Sequence, residues 1–131
     1  VATYYWVGGT GTWSTTGNTK FATSSGGTPT LNNPTTGDTV NFDANSGLVG
    51  ASYTVTVNTT ATVTTVNLAN PSAGTVSFTL GADFTNTGTF AFTSGAISLS
   101  TFKLSCNIFS TSNSNTRSIA FGTGNITLIG S

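Results

Sequence analysis

The chain has 131 residues and only six charged side chains, three of each sign: Lys20, Lys103, Arg117, Asp38, Asp43 and Asp83. Zero net charge with scattered cations excludes an electrostatic footprint for nucleic acid. No apolar run approaches bilayer length, which excludes membrane insertion by a helix, and the start "VATYYW" lacks the basic and hydrophobic stretches of an export signal. The 30 Thr, 16 Ser, 13 Asn and 16 Gly together outnumber all other residues, a composition that favours strands and turns over helices.

In chain order, the first feature is "YYWVGGTGTWS", residues 4–14, where two Trp and two Tyr crowd around glycines. Residues 1–50 hold both Trp and two of the three Pro in stretches with long loops, such as "TSSGGTPTLNNPTTGD", and read as an irregular capping segment. Residues 51–131 are repetitive, and the two parts form one folding unit. Beginning at Val rather than Met points to a trimmed or partial chain.

Four anchors align in the repetitive part: "YTVTVN", "TVSFTL", "AISLS" and "SIAFG". Their apolar pairs are Val55 and Val57, Val76 and Phe78, Ile97 and Leu99, and Ile119 and Phe121, at offsets of 21, 21 and 22 residues. Further alternating runs lie between them, around Val66 and Leu68, Phe90 and Phe92, and Ile126 and Leu128. A near-constant period with several short strands per unit predicts an all-β, parallel β-solenoid of about four coils, in which equivalent apolar side chains stack inside. An antiparallel β-sandwich of the jelly-roll kind is the alternative, because strands at this spacing also suit it.

A solenoid has two open ends to cover. The rings of Tyr4, Tyr5, Trp6 and Trp13, directly before the first coil, suit a cap; if exposed, they would instead stack on pyranose faces as a carbohydrate-binding module. At the far end "ITLIGS" stops mid-pattern without a cap, which makes Ile119, Phe121, Ile126 and Leu128 the candidate assembly interface. Cys106 shares a strand face with Phe102, Leu104 and Ile108 and reads as a buried structural thiol.

The chain is poorly equipped for catalysis. With no His and no Glu, only three Asp remain for acid and base work, and no His is present to activate Ser or Thr. Asp38 and Asp43 flank "TVNF" at odd spacing, on opposite faces of one strand, and read as turn organisers; Asp83 begins another turn. No catalytic, cofactor-binding or metal-ligating residue is expected, and no cofactor. The sequons at Asn58 and Asn125 are expected by chance in so Thr-rich a chain.

"YYWVGGTGTWS", "PTTGDTVNFDANSG" and "SNSNTRSIAFGTGNITLIGS" together resemble the β-rich repeat proteins of tailed-bacteriophage virions, among them fibre and decoration proteins. A weaker similarity is to bacterial surface proteins of the autotransporter-passenger type. Relatives often carry a further Trp where this chain has Phe21, and larger ones run on beyond the stretch matching "ITLIGS". The resemblance implies a noncatalytic structural or adhesive role on a virion or cell surface. The partners it implies are copies of the chain, other virion or appendage proteins, or host glycans.

Overall fold

The computed structural model describes residues 2–15, 17, 19–30, 32–47, 52–59, 62–68, 76–111, 115 and 117–129. The described residues form fourteen short strands on three faces of a parallel β-solenoid. The first face carries β1 (Thr3–Trp6), β3 (Phe21–Ala22), β4 (Thr39–Phe42), β6 (Thr65–Leu68), β9 (Thr89–Phe92) and β12 (Ile108–Ser110). The second carries β2 (Gly11–Ser14), β5 (Tyr53–Asn58), β7 (Val76–Leu80), β10 (Gly95–Ser98) and β13 (Arg117–Ala120). The third carries β8 (Phe84–Thr85), β11 (Lys103–Cys106) and β14 (Asn125–Leu128).

The chain visits the faces in rotation, so each strand pairs with its counterpart one turn later. Three turns are complete, from β6 to β8, β9 to β11 and β12 to β14; β4 and β5 precede them, with Val63 bridging Asn86 on the third face. Pairing between successive turns is parallel throughout. That pairing decides for the solenoid over the sandwich. The antiparallel exceptions are β3 against β1 and a single bridge from Phe21 to Thr30, at the N-terminal end.

Alternation along each strand builds the core. In β5 the burial runs buried, exposed, buried, intermediate, buried, exposed, with Tyr53, Val55 and Val57 inside. Parallel register stacks these positions in columns: Val55 under Phe78, then Ile97, then Ile119 on the second face, and Val40, Val66, Phe90 and Phe109 on the first. The core runs as one cluster from Tyr4 to Cys106.

The observed register corrects the one expected from the repeat. Val55 lies opposite Phe78, not Val76, and Ile97 opposite Phe78, whereas Ile97 opposite Ile119 is as expected. Successive offsets are therefore 23, 19 and 22 residues. The passage from the first face to the second varies in length from turn to turn: twelve residues lead from Val66 to Phe78, but only seven from Phe90 to Ile97, which occupy the equivalent positions one turn later. A slip of two residues preserves which side chains point inward, because the strand period is two.

The N-terminal segment is also more regular than expected, since β1, β2 and β4 continue the parallel stack. Ile108 departs from the face assigned to it. The chain turns at Asn107, β12 begins on another face, and Ile108 points outward beside Thr89 at 54 % exposure, while Leu104 and Cys106 are wholly buried.

Corners and outer faces are tied from turn to turn. The Asn67 amide donates to the Asn41 side-chain oxygen (2.7 Å), one rung of an amide ladder. The buried Asn86 amide donates to the carbonyls of Thr64 (2.7 Å) and Thr89 (3.1 Å). Gly95 enters β10 at φ 102°, where a side chain would meet the Val76 carbonyl of the turn below.

The columns predict a contrast. Ile97→Asp places an unpaired charge in the middle of one, and should cost at least about 4 kcal/mol, enough to unfold the domain. Thr56→Asp, on the outer side of β5, should cost within about 0.5 kcal/mol. Urea unfolding midpoints of the two variants check this, and equal effects would contradict the assigned faces.

Candidate functional site

Tyr4, Trp6 and Trp13 of the first turn face inward, while Tyr5 alternates to the outer side of β1. Trp6 and Trp13 are fully buried, Tyr4 is 8 % exposed and Tyr5 is half-buried. Phe21, carried in by antiparallel β3, makes edge contacts with Tyr4, Trp6 and Trp13 at centroid distances of 6.1, 5.2 and 5.4 Å. Trp13 continues the contacts inward to Phe84 at 5.1 Å. Gly8 and Gly9, at φ 89° and 69°, turn the backbone back tightly enough for the Trp6 indole N–H to donate to the Gly9 carbonyl (2.7 Å).

Tyr4, Trp6 and Trp13 therefore plug the end of the stack, and the expectation of a sugar platform is corrected for these three; Tyr5 stays half-buried on the outer side of β1 and takes no part in the plug. A pyranose stacks on an open ring face, and packing against Phe21 and Phe42 leaves Trp6 and Trp13 none.

The carboxylates serve the backbone. Asp38 accepts the Thr35 N–H (2.8 Å), the Thr35 hydroxyl (3.3 Å) and the Ala2 N–H (2.9 Å), which ties the first strand to the next turn. Burial works against its charged form, but these hydrogen bonds prevail and hold the carboxyl below its ordinary value. Asp43 accepts the Asn45 N–H (3.0 Å), an Asx-turn, and the Ser25 hydroxyl (2.7 Å). Asp83 accepts the Lys103 N–H of the following turn (2.9 Å). Each carboxylate closes a corner, and among the described residues no group of three His, Cys, Asp or Glu could hold a metal ion. Burial raises the pKa of the Cys106 thiol and keeps it protonated in the core.

The other end of the stack is built differently. Each core column terminates in the last turn: Phe109 beyond Phe90, Ile119 beyond Ile97, Ile126 beyond Leu104, and Leu128 beyond Cys106. Their counterparts one turn earlier are at most 1 % exposed, yet Phe109, Ile119 and Ile126 are only half-buried and Leu128 is 63 % exposed. Phe121, next inward after Ile119, is 48 % exposed, and Ile129 49 %. Residue type and register match the buried turns; the difference is that β12, β13 and β14 are paired on one side only among the described residues. Ile119, Phe121, Ile126 and Leu128 are thus brought together at one end, as their place in the repeat predicts; Phe109 and Ile129 join them. Phe109 was legible only once the turn at Asn107 was known.

Comparison of the chain with known protein families, characterised proteins and solved structures finds no match.

The buried ionisable groups set the pH range of the fold. Tyr53 is 4 % exposed, and its hydroxyl makes no well-formed hydrogen bond among the described residues; the Ser46 hydroxyl beside it accepts the Asp43 N–H (2.9 Å). Burial pushes its phenol well above the ordinary value. Its contribution is complete below about pH 10 and is lost as pH rises further. The contribution of Asp38 is complete above about pH 3.9 and is lost as pH falls through its lower folded value. The raised Cys106 thiol adds a loss that begins above about pH 8.5, its unfolded value, so stability should be flat between about pH 4 and pH 8.5. Asp38→Asn should cost about 1.5–3 kcal/mol at neutral pH and shrink the acid limb, and Tyr53→Phe should shrink the alkaline limb without loss at neutral pH. Urea midpoints measured across pH test both.

Proposed function

We propose that this chain is a noncatalytic structural module of a virion or extracellular appendage, which associates with copies of itself or with a scaffold protein through its last turn. The observation that carries the reading is the set of core columns ending uncovered in Ile119, Phe121, Ile126 and Leu128. A further β-layer laid on that turn in the same register would bury these side chains. It would also pair the outer edges of β12, β13 and β14, each of which has a strand on one side only.

Surface chemistry favours the same reading. Unpaired edges in natural proteins are usually guarded by Lys, Glu or Pro, and β12 and β14 carry none of these. Zero net charge removes long-range repulsion between copies. The resemblance of the three quoted segments to virion repeat proteins supplies the setting, and the chain's lack of His and Glu supports a role without catalysis.

Light scattering after size separation tests the proposal. The chain should associate more as its concentration rises, and Phe121→Lys with Leu128→Lys should return it to a monomer without lowering its melting temperature, because both residues are exposed in the single molecule. A wild-type monomer at millimolar concentration would overturn self-association, and association that survives both substitutions would overturn the role given to the last turn.

A further inference from the structure

A cleft of about 490 Å³ lies at the other end of the molecule, at the corner between the first and second faces. One wall is the turn from Val7 to Thr10, between β1 and β2; the opposite wall is the turn after β4 with Asn45, and Ser52 and Tyr53 lead into β5. The volume falls within the range of small-molecule sites.

The walls are locked before any ligand arrives. The Gly9 N–H donates to the Ser46 carbonyl (2.8 Å) and the Thr54 N–H to the Thr10 hydroxyl (3.2 Å), so the two turns are bonded to each other. The Asn45 amide donates to Ser25 (2.8 Å), which donates to Asp43 (2.7 Å), fixing the Asn45 side chain from behind. Pre-organisation of this kind lowers the ordering cost of binding.

Three exposed lining residues bring polar groups that the chain itself does not use. Among the described residues the Asn45 side-chain oxygen, the Ser52 hydroxyl and the Thr10 hydroxyl proton have no partner, while Val7 and Tyr53 supply apolar lining. No charged side chain among the described residues lines the cleft. The nearest charges stand behind the walls and are engaged there: the Lys20 ammonium donates to the Gly8 carbonyl (3.0 Å), and the Asp43 carboxylate accepts from Ser25 (2.7 Å) and the Asn45 N–H (3.0 Å). Neutral donors and acceptors beside apolar lining match a ligand that carries both hydroxyls and C–H faces. We infer that this cleft is a binding site for a neutral mono- or disaccharide, distinct from the rings of Tyr4, Tyr5, Trp6 and Trp13 and independent of the association surface at the far end.

The test is titration of the labelled, full chain, followed by amide NMR shifts, with glucose, galactose, mannose, N-acetylglucosamine, lactose and cellobiose, and with glucose 6-phosphate and glucuronate as anionic contrasts. At least one neutral sugar should give saturable shifts centred on Gly9, Asn45 and Ser52. Ser52→Trp, which fills the cleft from an exposed position, should abolish them, and Asn45→Ala should weaken binding at least tenfold; if the Trp variant does not fold, the Ala variant carries the comparison. Three results would each overturn the inference: no saturable shift with any neutral sugar, shifts that survive the substitutions, or tighter binding of the anionic pair. Since the Phe121→Lys, Leu128→Lys variant should bind the same sugar equally well, failure of the association proposal is read separately.

Discussion

Parallel strands set directly above one another, about 4.8 Å apart, force each turn of this chain to reproduce the side-chain volumes of the turn beneath it. An inward position that is apolar in one layer must be apolar in the next, or a polar group is buried without a partner. The columns from Val55 to Ile119 and from Val40 to Phe109 are the result. Aromatic rings follow the same rule by alternating edge and face, as Phe78 does toward Phe42, Phe84 and Phe90. Every other feature is a response to this stacking, including the way the ends and corners are treated.

The outer positions answer to hydration and to backbone satisfaction. Thr suits them because its branched Cβ fits the pleat while its hydroxyl meets water. Asn is used where two layers must be joined, as between Asn41 and Asn67 or at the buried Asn86. The few carboxylates are spent on backbone N–H groups, which explains how three Asp can suffice in a chain of this size. Charge has a local structural use here and little long-range one.

Much of this was legible because strand alternation is a local signal. The inward residues of the repeat, from Val55 to Ile119, follow from alternation, and the near-constant period favours parallel winding over the sandwich, a choice that the observed pairing decides. The two-residue slip between Val55 and Phe78 was not legible: it leaves every side chain on its expected side, so the hydrophobic pattern is blind to it. Ile108 was misplaced because the turn at Asn107 interrupts the alternation without a Gly or Pro to mark it. The rings of the first turn were ambiguous between platform and plug, and burial by Phe21 from a strand fifteen residues beyond Trp6 resolved them. The cleft beside Asn45 was invisible, since its walls come from turns far apart in sequence that only the winding brings together.

The unequal ends give the molecule a gradient of local stability. A layer in the middle is held by strands on both sides, whereas β12, β13 and β14 are held on one side only and keep much of their apolar surface in water. In a linear stack opening proceeds from the less constrained end, so the final turn frays first and the turns beneath it open only in order behind it. Antiparallel β3 and the rings around Phe21 suppress the same process at the opposite end. Amide hydrogens in β13 should therefore exchange with solvent well before those in β7, and a layer settling on the last turn would erase the difference by turning an end into an interior.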